Sequence, residues 1–249
     1  MGGLTVLAAL RAELEHEDFV YLGDTARLPY GTKSPETVQR YAVQAAAALV
    51  DCGVKALVVA CNTASGLALE TLAKEFAPIP VYGVVLPGAE AAAKVADSSG
   101  VLVLATESTV MGGAYQRALA ELEPTLPVTA NACPLWVTLA ETGEQSSELV
   151  DAILRHSVAV DHPATVLLGC THFPVFHQAL SARFPQTQFV DSAATTATAV
   201  ARDLNSLALL QKEGSGTLRF LATDGVERFR RVGSYFLGEE IAEVELIDL

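Results

Sequence analysis

The sequence predicts an α/β protein with mainly parallel sheets. Three observations carry that expectation. Short apolar runs alternate with longer segments of helical periodicity, the polar breaks between them are only loop-sized, and one strand-to-helix turn around Cys61 is echoed around Cys170. A chain of 249 residues that is 51% hydrophobic can bury a full core as one large domain or two small ones, so disorder is not expected.

Taken in order, the run FVYL gives a strand at 19–22, and Ser34 followed by Pro35 opens a helix at 36–50. A strand at 56–60 (ALVVA) leads to a helix at 65–76, and a strand at 81–85 (VYGVV) to a helix at 88–95. The run VLVL gives a strand at 101–104, and Ser108 before Thr109 marks the start of a helix at 110–122. Next come a strand at 128–131, a helix at 147–158, and strands at 165–168 (TVLL) and 188–190. Asp191 with Ser192 opens a helix at 193–210, and strands at 218–222 and 244–247 finish the chain. Polar breaks at 97–100, 141–145 and 212–216 are loops rather than linkers.

A net charge of -13 repels phosphate backbones and anionic lipid surfaces, which argues against nucleic acid and membrane as partners. The N-terminus MGGLTVLAALRAELE lacks the basic region of a signal peptide, and no apolar run reaches eighteen residues, so a cytoplasmic protein is expected. The four cysteines, Cys52, Cys61, Cys133 and Cys170, lack CxxC spacing, so neither a zinc site nor, in that compartment, a disulfide is supported.

Free thiols remain, and two share a setting. In ALVVACNTAS and TVLLGCTHFP a buried strand ends in a small residue, then Cys, then a nearby threonine, then a helix. Ligands of parallel α/β sheets bind at the carboxyl ends of strands, where the next helix offers free amides and its positive dipole end. Such a position is expected to lower a thiol pKa toward neutrality, whereas a cysteine near 8.5 is only about 3% thiolate at pH 7. Two thiols that hold no metal and form no disulfide suit the inversion of a stereocentre: one base takes a proton from one face of a carbon while its partner returns one to the other.

These residues carry a resemblance. YLGDTARLPYG at 21–31, VVACNTAS at 58–65, ACPLWVTLAETG at 132–143 and GCTHFP at 169–174 look like the motif set of the aspartate/glutamate racemases, and of the glutamate racemases among them; GGLTV at 2–6 and GVVLPGA at 83–89 agree. The match spans nearly the whole chain in the right order.

The resemblance implies two parallel-sheet α/β domains related by a pseudo-twofold axis, with the active site in the cleft between them. The first would combine 1–86 with 191–249 and the second would be 87–190. It implies cofactor-independent interconversion of L- and D-glutamate, feeding D-glutamate into peptidoglycan. No pyridoxal phosphate is expected, since two thiols already account for proton transfer and no lysine lies in the matched motifs. Cys61 and Cys170 match the proton-transfer residues. Tyr30, Gly31, Asn62, Thr63 and Thr171 match substrate-binding positions, where amides and hydroxyls can hold an amino acid. His172 matches a histidine that assists the second cysteine and is also placed at the substrate; Asp24 and Glu141 match carboxylates near the thiols. A homodimer is an expected assembly.

Each candidate has a plainer reading. Asp24 could simply brace the loop ending at Gly31, and Glu141, just before Thr142 and Gly143 at a helix end, could be a solvated residue. Cys52, before Gly53, and Cys133, before Pro134, are expected to be structural. Related aspartate racemases carry other residues where Ser65 and His172 stand here, which favours glutamate over aspartate.

The family opens with a short strand and an Asp-Ser-Gly turn before the residues matching Met1, Gly2 and Gly3. This chain starts at Met1. On the favoured reading Met1 is an internal methionine of a longer natural chain. On the other, one sheet has lost a central strand, which would expose apolar surface and leave two ladder edges unpaired. On the favoured reading the chain of 249 residues is expected to be unstable or nearly inactive beside a version extended upstream, and a catalytically weakened binding protein is the alternative function.

Overall fold

All nine apolar runs fold as strands in the computed structural model, which describes residues 1–145, 147–158 and 163–249. The first half runs α1 (Gly3–Glu13), β1 (Phe19–Gly23), α2 (Pro35–Asp51), β2 (Leu57–Val59), α3 (Asn62–Glu75), β3 (Val81–Gly83), α4 (Val85–Val95), β4 (Val101–Ala105), α5 (Glu107–Gly112) and α6 (Ala114–Leu122). The second half runs β5 (Val128–Ala132), α7 (Pro134–Thr142), α8 (Glu148–Ser157), β6 (Thr165–Gly169), α9 (His177–Arg183), β7 (Gln188–Asp191), α10 (Ser192–Ser206), β8 (Leu218–Ala222), α11 (Val226–Leu237) and β9 (Glu245–Leu246).

Two of the three expected start signals cap helices. Ser34 accepts from the Thr37 amide at 3.3 Å, with Pro35 in the first turn, and Asp191 accepts from Ala193 and Ala194 at 2.9 and 3.2 Å. Ser108 does not: α5 begins at Glu107 after Thr106, and the Ser108 hydroxyl donates to the Gly31 carbonyl instead. The single helix expected at 110–122 is broken by Gly113, whose φ of +64° ends α5 and starts α6. Helix α3 begins at Asn62 rather than 65: the Ser65 amide already donates to the Cys61 carbonyl at 2.8 Å, while the Ser65 hydroxyl donates to the Val59 carbonyl and accepts from the Val84 amide, tying the end of β2 to the link after β3.

Among the described residues three sheets form, and every strand pair is parallel. One has the order β5-β4-β6-β7, one β1-β8-β9, and the third pairs β2 with β3. Among the described residues β1 and β2 share no ladder. Strands β4 and β6 are buried throughout, as expected for parallel strands covered on both faces. Around Cys170, the Trp136 ring packs on Phe173 and Phe176 with centroids 4.8 and 5.4 Å away. These contacts are worth about 1 kcal/mol each beyond the area they bury, and they press α7 against the turn after β6. That fixes the relation between two parts of the site.

Candidate active site

Because the strands are parallel, their carboxyl ends gather on one side, and the chemistry-bearing residues follow them directly. Asp24 follows β1, Cys61 follows β2, Thr106 follows β4 and Cys170 follows β6. A cavity of about 1030 Å³ opens there, and all ten expected site residues line it: Asp24, Tyr30, Gly31, Cys61, Asn62, Thr63, Glu141, Cys170, Thr171 and His172.

Cys61 occupies the N-cap position of α3 in extended conformation, so its thiol lies at the positive end of the helix. Burial pushes its pKa up, and the amides of Thr63 and Ala64 pull it back only in part. Cys170 is 5% exposed; burial pushes it up to about 12, with the His172 amide opposing and the charge of Cys61 adding to the rise. The expected lowering of the thiol pKa is therefore not what the site's geometry favours. The helix amides act as supposed, but desolvation of the anion outweighs them. The echo between the two turns is also incomplete, since Cys170 is followed by a 3-10 turn at Phe173–Phe176 before α9, not by an α-helix.

Behind Cys170 lies a relay. Nδ1 of His172 is 3.7 Å from the Cys170 Sγ, Nε2 of His172 is 3.0 Å from Oε1 of Glu141, and Oε2 of Glu141 accepts from Arg228 at 2.5 Å. Burial works against charge on Glu141, but the hydrogen bonds from His172 and Arg228 win and hold its carboxyl at about 2. Burial also lowers the His172 pKa, against the pull of Glu141, which favours a neutral ring. The Gly2 amide approaches Nε2 at 3.3 Å as well, but the shorter bond to a carboxylate decides the tautomer. We assign the proton to Nε2, which leaves Nδ1 bare toward the thiol. Glu141 is therefore paired rather than solvated.

On the other side the polar groups are hydroxyls and amides. The Thr63 hydroxyl lies 3.1 Å from that of Thr106 and 3.2 Å from that of Thr109, joining the start of α3 to the loop after β4. Asn62 is 3% exposed; its amide donates to the Tyr115 hydroxyl at 2.6 Å, and its carbonyl oxygen has no partner among the described residues. Gly31 packs against Thr106, where an added Cβ would come within 3.2 Å. Thr171 is buried, and its carbonyl accepts from Thr5 at 2.9 Å. Asp24 is saturated: it accepts from Arg27 at 2.8 and 2.9 Å, from Thr223 at 3.0 Å, and from the Tyr30 hydroxyl. That is the pattern of a loop brace.

Cys133 also stands between a strand and a helix, after β5 and before α7, but it is buried in the core, off the cavity, and burial raises its thiol to about 11. Cys52 is an exposed residue that ends α2. Arg228 and Tyr115 were not anticipated. For Arg228 the signal was present, since VERFRRVGSYFL places Phe229, Val232 and Phe236 on one buried face at helical spacing. Among the described residues no group of three His, Cys, Asp or Glu could hold a metal ion, and no helix is long and apolar enough to cross a membrane.

Comparison with known proteins agrees with this geometry. Residues 4–200 match the family model for Asp/Glu/Hydantoin racemase. The chain is 42% identical to a glutamate racemase of Geobacter metallireducens, covering 100% of this chain and 94% of that protein. It superposes with a TM-score of 0.92 on the crystal structure of the Francisella tularensis glutamate racemase in complex with D-glutamate, at 32% identity, covering 99% of this chain and 94% of that one. Against the Thermus thermophilus glutamate racemase in complex with beta-chloro-D-alanine the TM-score is 0.90 at 42% identity, with 100% and 93% covered. The fold, the paired cysteine turns and the family match converge: this chain belongs to the Asp/Glu/Hydantoin racemase family.

Proposed function

We propose that the chain interconverts L- and D-glutamate without a cofactor, by proton transfer between Cys61 and Cys170, and that it supplies D-glutamate for peptidoglycan synthesis in the cytoplasm. The observation that carries this reading is that two thiols, from the ends of β2 and β6, line one cavity together with the amides and hydroxyls of Asn62, Thr63 and Thr171. The cleft lies between two units, 1–86 with 191–249 and 87–190, each supplying one thiol. A homodimer belongs to the same reading, and a native mass measurement tests it.

The thiolate of one cysteine removes the α-proton, and the charge left on carbon spreads into the adjacent carboxylate, held by groups at Asn62, Thr63 and Thr171. The opposite thiol then delivers its proton to the other face and becomes the thiolate, so the two residues exchange roles with each turnover. High thiol pKa values serve this chemistry, because a more basic thiolate takes a weakly acidic C–H proton more readily. The cost is a small resting thiolate population, and two features offset it. Bare Nδ1 of His172 faces the Cys170 thiol and can take its proton, and the substrate ammonium brings positive charge into the cleft. The unpartnered carbonyl of Asn62 suits that ammonium as an acceptor. Asp24 serves by holding Tyr30 and its loop, and Glu141 by orienting His172.

Circular dichroism of L-glutamate and of L-aspartate incubated with the protein tests the assignment. Loss of optical activity is expected for glutamate, slowed about 10²–10⁴-fold by Cys61→Ser or Cys170→Ser. Faster conversion of aspartate would reassign the substrate, and tight binding of D-glutamate without turnover would favour a binding protein.

A further inference from the structure

One buried side chain touches the turns that carry both thiols. Tyr115, in the first turn of α6, is fully buried. The edge of its ring packs on Gly169, the residue before Cys170, where an added Cβ would come within 2.8 Å of the Tyr115 Cε2. Its hydroxyl reaches Asn62, the residue after Cys61, and accepts from the Asn62 side-chain amide at 2.6 Å. Gly88 of α4 leaves room for that hydroxyl, since a Cβ at position 88 would lie 3.3 Å from it. A single tyrosine therefore spans from the end of β6 to the start of α3.

The chemistry of this contact gives Asn62 a direction. Burial raises the Tyr115 pKa, so the hydroxyl keeps its proton and offers it to the Val84 carbonyl at 3.5 Å, leaving its lone pairs for Asn62. With the Asn62 nitrogen committed to Tyr115, the carbonyl oxygen is the end without a partner among the described residues, on a side chain that lines the cavity. An amide free to turn over would present donor and acceptor in alternation, and an ammonium group is bound only by the acceptor. Tyr115 is not itself part of the cavity wall, so whatever it does for the substrate it does through Asn62.

We propose that Tyr115 is a positioning residue for the amino group of the substrate: seated between the two thiol-bearing turns, it holds the Asn62 amide with its carbonyl toward the cleft. This assignment rests on the glutamate reading above.

Calorimetric binding of D-glutamate and of glutarate, the same diacid without the amino group, tests it on the full chain, on Tyr115→Phe, on Asn62→Ala and on the double variant. Tyr115→Phe keeps the ring on Gly169 and removes only the hydroxyl. It is expected to raise the Kd of D-glutamate about tenfold, the scale of one hydrogen bond in a buried site, and that of glutarate less than about twofold. With Asn62→Ala already present, the tyrosine change is expected to add nothing, because both act through one contact. Equal weakening of the two ligands, which a loosened core would give, would overturn the proposal; so would an unchanged Kd for D-glutamate or full additivity in the double variant. Racemisation by the parent is followed alongside. A parent that binds D-glutamate without converting it contradicts the racemase reading and leaves the Kd values to decide the role of Tyr115, whereas a parent that binds neither ligand overturns both.

Discussion

The Nε2 of His172 lies 3.0 Å from Oε1 of Glu141, and this contact sets what the imidazole presents to Cys170. With the proton held on Nε2, Nδ1 is an acceptor 3.7 Å from Sγ. Glu141→Gln removes the charge that fixes the tautomer and is expected to lower kcat about 10–100-fold with little change in KM, by analogy with the loss of a group that orients a histidine. Steady-state kinetics decides it; a change in KM alone would place Glu141 at the substrate.

The same pair shapes acid stability. Glu141 has a folded pKa of about 2 against an ordinary 4.5, so its contribution is present above about 4.5 and is lost as pH falls toward 2. By linkage it is worth at most about 3 kcal/mol, and less because Arg228 is half exposed. Unfolding by urea at stepped pH should show a flatter decline between 4.5 and 2 in Glu141→Gln than in the parent. Arg228→Ala should reduce that slope in part.

Both thiols titrate above their ordinary value, and kcat/KM reports groups of the free enzyme. The expected pH profile therefore still climbs at pH 9, the ordinary cysteine value. A plateau below that point would mean that the thiols are already ionised in the resting cleft.

Asp24 separates bracing from proton transfer. Its carboxylate is 8% exposed and engaged by Arg27, Thr223 and Tyr30. Asp24→Ala leaves Arg27 without its partner, and a loss of about 3 kcal/mol in stability is expected. Asp24→Asn, which keeps the shape, should retain kcat within about tenfold and raise KM as the Tyr30 loop loosens. A collapse of kcat in a well-folded Asp24→Asn protein would give Asp24 a direct part in the chemistry.

Cys133→Ala is the control for the two cysteine turns. Cys133 is 3% exposed in the core and lies off the cavity. The substitution should cost about 1 kcal/mol in thermal unfolding and leave turnover unchanged.

Much of this site was legible because its signals are local. A strand, a cysteine, a polar residue and a helix follow one another in sequence, and Ser34 and Asp191 announce their helices with side chains that the structure uses as caps. What escaped was set by burial and by distant contacts. Helix α1 is apolar nearly all round, with Leu4, Val6, Leu7 and Leu10 buried, so it shows no amphipathic stripe. The rise of both thiol pKa values depends on how completely the cleft excludes water, which no local pattern reveals. Arg228 meets Glu141 only through tertiary packing of α11, 87 residues away in sequence.

The two-base claim is tested most directly by racemisation of L-glutamate in D2O, with both enantiomers separated at early conversion and their α-deuterium measured. Two thiols on opposite faces require each new D-glutamate to carry one deuterium while recovered L-glutamate stays protiated, with Cys61→Ser and Cys170→Ser each losing the conversion. Protium retained in the product, or deuterium appearing first in the recovered L-glutamate, would point to a single base and contradict the assignment of Cys61 and Cys170 as a pair.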